Sequence, residues 1–151
     1  MKKRSIIALL TLATGILTMQ GAGANEAAIE YRQAVMNVYL WNLKPMAGMV
    51  KGKIPFDAEL FRSRAEGLAT ATRLDLLSGF PEGSTDEFDS SAKPVIWEKW
   101  PEFKGKFEAL RRESAKLAEA ARSGDAAAMK AQFGNTAKSC GGCHKKFRMK
   151  K

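Results

Sequence analysis

Apolar residues recur at helical spacing through most of the chain, and no alternating strand pattern of any length appears. The first such stretch covers about residues 26–50, with Ile29, Met36, Tyr39, Leu40, Leu43, Met46, Met49 and Val50 on its stripe. Pro45 falls inside it and is expected to kink or distort it locally. Residues 51–55 form a connection. A second helix runs from about Asp57, a plausible N-cap, to Leu77, with Leu60, Phe61, Leu68, Leu74 and Leu77 as its apolar stripe. Residues 78–93 are dominated by Gly, Pro, Ser and Asp and form the one long loop. A third helix opens at Pro94, uses Ile96, Trp97, Trp100, Phe103, Phe107, Leu110 and Leu117, and stops near Ser123-Gly124. Pro101 is expected to disturb its first turns. Asp125 caps a fourth helix that runs to the C-terminus through Met129 and Phe133. Four amphipathic helices with one long and two short connections predict an all-α, antiparallel up-down-up-down four-helix bundle.

The first 24 residues do not fit that bundle. Met1-Lys2-Lys3-Arg4 is a charged start, residues 6–17 are mostly apolar, and Ala22-Gly23-Ala24 is a small-residue cleavage site. Residues 1–24 are therefore expected to be a secretory signal peptide, with residues 25–151 as one bundle domain starting at Asn25. The apolar stretch is short and broken for a transmembrane span, so no membrane contact is expected after cleavage.

Charge changes the picture little. Loss of Lys2, Lys3 and Arg4 from 25 basic residues leaves 22 against 16 acidic ones, a net of +6. The excess gathers at the C-terminus, in Lys138, Lys145, Lys146, Arg148, Lys150 and Lys151. A helix C-terminus favours cations through its dipole; a docking patch for an acidic redox partner is the other reading. Nucleic-acid binding is not supported, because aromatic interleaving and a recognisable module are both absent.

The chemistry is concentrated in Cys140-Gly141-Gly142-Cys143-His144, which holds both cysteines and the only histidine. Cys-x-x-Cys-His is the attachment signature of haem c. On a helix, Cys140, Cys143 and His144 project from one side within about one turn, so two sulfurs and one imidazole meet one planar cofactor, with His144 as the iron ligand. Gly141 and Gly142 add no side chain to obstruct it. A structural zinc site wants four ligands, and the chain offers two Cys and one His. A thioredoxin-like pair belongs beside a βαβ pattern, which is missing. A plain disulfide leaves His144 unexplained. With an export signal, haem c attachment points to the bacterial periplasm.

Several further marks stand in order along the chain. They are Tyr31-Arg32-Gln33 followed by Met36, the run from Met49 to Asp57, Lys93-Pro94-Val95-Ile96-Trp97, Phe103-Lys104, the haem motif, and Phe147-Arg148. In this order they resemble cytochrome c′, the class II c-type cytochromes, over the whole mature length. That family often has Tyr where Phe147 stands.

The resemblance implies a four-helix bundle, usually a homodimer, with one covalent haem c. It implies five-coordinate iron with His on one side, an apolar side chain closing the other, and small gases such as nitric oxide and carbon monoxide as ligands. By position Met36 matches the distal residue, and Arg32 and Gln33 match residues beside the haem propionates. Ser91 falls where a loop residue contacts a propionate, and Arg148 matches the basic residue beside the proximal His. Arg suits a buried propionate because it offers a bidentate, charged donor. Arg32 and Met36 are one turn apart, so one can face the haem edge and the other its centre.

Three functions follow in competition. One is a gas-binding haem protein able to transfer electrons. Another is a six-coordinate electron-transfer cytochrome of the same fold, with Met36 on the iron. The last, a peroxidase, needs an acid/base group above the iron; with His144 used by the motif no histidine is left for it, so no enzymatic activity and no catalytic residue are expected. The physiological redox partner is not legible.

Overall fold

The computed structural model describes residues 21–85 and 88–150, so most of the expected signal peptide lies outside the described residues. Four long helices form the body: α1 (Gly21–Val50), α2 (Ala58–Ala71), α4 (Trp100–Arg122) and α5 (Ala126–Phe147), with a short α3 (Val95–Glu98) before α4. Among the described residues there is no strand; the one extended pairing is an isolated bridge between Ala92 and Arg148. The expected all-α bundle is the architecture observed.

Local chemistry sets the helix limits. The Asp57 carboxylate accepts from Leu60 N at 3.0 Å and starts α2. Asp125 accepts from Ala127 N at 2.8 Å and from Ala128 N at 3.3 Å, starting α5. Gly124 takes φ +78° between α4 and α5, a left-handed conformation that a side chain would oppose. α1 runs through Pro45 without a break. Pro101 has the expected effect: lacking an N–H, it cannot continue the ladder from α3, and the chain kinks at Lys99 (φ −122°, ψ 39°) before α4 begins.

Two boundaries differ from the sequence reading. α2 ends at Ala71, and the chain turns at Thr72 into a 3₁₀ turn, Leu76–Gly79. Leu74, counted in the apolar stripe, is exposed. The last helix stops at Phe147 and does not reach the C-terminus. Arg148 is extended, and Lys93 N donates to Phe147 O at 3.0 Å while Met149 N donates to Ser91 O at 2.8 Å. This pairing fastens the end of the long loop to the end of α5.

α4 packs on α5 and on α2, and α2 packs on α1, whereas α1 and α5 scarcely touch. The core fills the first three contacts with Met46, Phe61, Leu68, Leu117, Met129 and Phe133, all buried. Each large side chain removed from water contributes about 1.5–3 kcal/mol. Aromatic edges lock the site end: Phe103 meets Phe80 at 4.8 Å and Phe147 at 5.3 Å between ring centroids. Phe147 is buried against this cluster, so the ring packs without the hydroxyl often found there.

Candidate functional site: a cofactor cavity between α1 and α5

The gap between α1 and α5 is a cavity of about 520 Å³, within the roughly 300–1,000 Å³ usual for cofactor sites. Cys140, Cys143 and His144 reach it from α5; Arg32, Gln33 and Met36 from α1; Ser91 from the loop; Arg148 from just beyond α5. All eight candidate residues thus line one cavity, although they are spread over more than a hundred positions of chain.

α5 presents its three reactive groups as the helical spacing requires. The two cysteines are half-buried and not disulfide-bonded, and Gly141 and Gly142 are exposed, with open space where side chains would stand. Burial pushes the Cys140 thiol up, against a hydrogen bond from Ser139, and pushes the Cys143 thiol to about 11. Burial, then the nearby Arg148 charge, hold the His144 imidazole below its usual value, so it is neutral and able to donate a lone pair to a metal. Among the described residues no group of three His, Cys, Asp or Glu gathers as a metal site.

Arg32 is buried and heavily engaged. Its Nη1 donates to Gly79 O at 2.9 Å and Ser84 Oγ at 2.7 Å; its Nη2 donates to Ser84 O and Ser90 Oγ at 2.6 Å and Thr85 O at 3.3 Å. The guanidinium also lies 4.6 Å from the Phe80 ring centroid. Burial lowers its pKa to about 10, so it is a cation throughout the neutral range. Arg32 therefore fastens the loop to α1 while forming part of the cavity wall. Gln33 Nε2 reaches Phe88 O at 3.5 Å, a weak contact. Met36 is half-buried, and Ser91 meets the C-terminal tail through its carbonyl.

Other lining residues were not singled out in the sequence. Leu43, Leu76, Phe80, Ile96 and Phe107 read as ordinary helix-stripe or loop residues, and they make the wall largely apolar. Phe103 does line the cavity, whereas Trp97 turns its Nε1 to Phe80 O at 3.1 Å and Trp100 packs on Phe103. Tyr39, three positions after Met36, lines it too; its hydroxyl is buried and has no hydrogen-bond partner on the protein. A buried hydroxyl without a partner is costly, and facing a cavity it is the kind of atom a bound group satisfies. The residues present fit haem c: two thiols, one neutral imidazole and an apolar slot. Cys140 and Cys143 would carry it and His144 would ligate its iron.

Comparison with known proteins agrees with this geometry. Residues 27–148 match the family model described as Cytochrome C′. A cytochrome c′ of Halomonas halodenitrificans is 37% identical over 128 residues, covering 82% of this chain and 96% of that protein. The solved cytochrome c prime of Shewanella frigidimarina superposes with a TM-score of 0.79 at 40% identity, covering 83% of this chain and 97% of that one. A nitric oxide complex of a cytochrome c prime variant from Alcaligenes xylosoxidans gives a TM-score of 0.75 at 33% identity, with 84% and 97% covered. The family and the fit of the cavity together assign the cofactor and the fold class: this chain belongs to the cytochrome c′ family, a helical bundle carrying covalently bound haem c.

Proposed function

We propose that the protein is a periplasmic haem protein whose iron takes His144 on one side only. Met36 closes the other side without binding, and nitric oxide and carbon monoxide bind there. The observation that carries this reading is the cavity wall on α1, where Met36 stands with Leu40 and Leu43 and no histidine or carboxylate accompanies it. The bound haem supplies the iron that binds gas and exchanges electrons. Around it Cys140 and Cys143 tether, His144 ligates, Gln33, Ser91 and Arg148 offer polar groups at the edge, and Arg32 holds the loop that closes the site. The solved relative in complex with nitric oxide supports gas binding. An α1 wall with no histidine or carboxylate, and with its one phenol, Tyr39, held protonated by burial, supports binding and electron transfer over turnover.

Residues 1–24 are the export signal in this reading, and among the described residues no helix is long and apolar enough to cross a membrane. The protein pairs with a second copy through the outer face of α1. There Val38 and Trp41 are exposed, Trp41 at 67%, with Ile54 beside the same helix and the Arg64 guanidinium 5.0 Å from the Trp41 ring centroid. Sedimentation of Trp41→Glu tests this: a wild-type dimer that the variant leaves intact would remove α1 from the interface.

The optical spectrum tests the iron. A broad high-spin spectrum that changes on adding nitric oxide is expected. A sharp low-spin spectrum with a sulfur-to-iron band would instead make Met36 the sixth ligand, the electron-transfer alternative.

A further inference from the structure

One cation near the cavity stands where it costs stability. Lys99 occupies the N-cap of α4 and makes no capping hydrogen bond; Lys104 and Lys106 follow in the first two turns. The positive end of a helix repels such charges, and Ser, Thr, Asp or Asn would cap it better. Helix chemistry therefore explains Lys145 and Lys146 at the end of α5 but not Lys99 at the start of α4.

These lysines converge. Lys146 Nζ meets Glu102 Oε2 at 2.5 Å, and Lys99 and Lys106 lie near enough to stabilise the same carboxylate. Lys106 also lines the cavity, near Cys143. The pairing of Ser91 and Lys93 with the tail brings Lys93, Arg148 and Lys150 to this end of the bundle. Among the described residues, Glu98 and Glu102 of α3 and α4 and Asp89 of the cavity wall stand against these six cations. The other end and flank differ: Arg62 pairs with Glu59, Lys116 with Glu113, and Arg122 with both Glu66 and Glu119. On that flank several cations are held in ion pairs, whereas beside the cavity the cations gather around the single carboxylate of Glu102.

We propose that this cationic rim, built from Lys93, Lys99, Lys106, Lys146, Arg148 and Lys150, docks the acidic face of a protein that exchanges electrons with the bound haem. The inference rests on the electron-transfer part of the proposed function. A one-sign field beside the redox centre steers an oppositely charged partner and orients it with its own centre toward the haem, acting mainly on the association rate.

The test uses the haem-loaded, reduced protein and two small oxidants of opposite charge, hexacyanoferrate(III) and tris(phenanthroline)cobalt(III). Two charge-reversal variants of equal net charge are compared: Lys99→Glu/Lys150→Glu at the rim and Lys53→Glu/Lys130→Glu at the far end. At low ionic strength the rim variant is expected to slow the anionic oxidant by about five-fold and speed the cationic one, with the far-end variant within about two-fold of wild type. A glutamate-rich peptide titrated into ¹⁵N-labelled protein should shift amides of residues 93, 99, 106 and 146–150, and should lose this effect in the rim variant. Equal responses of the two variants, or peptide shifts elsewhere, overturn the docking site while electron transfer stands. Failure of wild type to react with either oxidant overturns the electron-transfer reading itself, and the proposal with it.

Discussion

Arg32 Nη2 donates to Ser90 Oγ at 2.6 Å, and the same Oγ accepts from Ala92 N at 3.1 Å. One guanidinium on α1 thus sets the loop residue that precedes the Ala92–Arg148 bridge. Through that chain of contacts the α1 wall and the α5 wall of the haem site are held by the same loop. Lysine keeps the charge but not the fork that spans Gly79, Ser84 and Ser90. Arg32→Lys should therefore lose about 2–3 kcal/mol, since buried carbonyls lose charged donors. Urea unfolding gives the loss, and amide exchange should rise across residues 79–92 ahead of the bundle. Wild-type protection in that segment would show that Arg32 does not hold the loop.

Gly79 makes the same approach possible from the loop side. A Cβ added there would stand 2.8 Å from Arg32 Cβ, 3.1 Å from the Tyr31 ring and 3.2 Å from Ala28 O. None of these atoms is the free end of a flexible chain. Gly79→Ala should push the 3₁₀ turn off α1 and cost about 1–3 kcal/mol. Lengthened Arg32 contacts in a crystal structure of the variant, together with a lowered urea midpoint, are the expected result. An unchanged midpoint would place the turn less tightly than its contacts indicate.

The bundle was legible because its helices are amphipathic over many turns, and the haem-bearing groups because they sit in one short motif. The positions of Arg32, Met36 and Arg148 in one cavity came from resemblance rather than from spacing; helix periodicity alone would assign Met36 to the core. What stayed hidden depends on tertiary approach. Gly79 looks like any loop glycine until α1 lies against it. The end of α2 at Ala71 follows from the turn at Thr72, which the Leu74 and Leu77 stripe masked. Tyr39 falls on the same stripe as Leu43, and only the gap between α1 and α5 separates a cavity-lining hydroxyl from a core ring.

Burial, with a smaller contribution from Tyr31, raises the ionisation of the Tyr39 phenol well above its usual value of 10.0. The folded state thus favours the protonated form. Its contribution to stability is complete below the unfolded value and is lost as pH rises past it. In a near-ultraviolet phenolate titration, Tyr39 should ionise only as the protein unfolds in alkali. Tyr39→Phe should remove that step and move the alkaline unfolding midpoint to higher pH. A Tyr39 phenolate formed while the protein is still folded would mean that its hydroxyl is open to solvent.

In the proposed function, Met36 governs how the cavity handles ligands. It stands half-buried on α1, one turn from the fastened Arg32, so its backbone is fixed while its flexible side chain is free to move aside. Met36→Ala enlarges the cavity on that wall. Because the side chain is only partly buried, the fold should lose about 1–2 kcal/mol, less than a fully buried Met→Ala change. If Met36 acts as a plug, nitric oxide and carbon monoxide should associate about tenfold faster, equal to about 1.4 kcal/mol removed from the barrier, with the high-spin spectrum retained. Stopped-flow mixing with carbon monoxide measures the rate, and the spectrum of the same sample checks the spin state. Unchanged kinetics and spectrum would mean that another residue of the wall, with Leu40 and Leu43 the nearest candidates on α1, closes the iron.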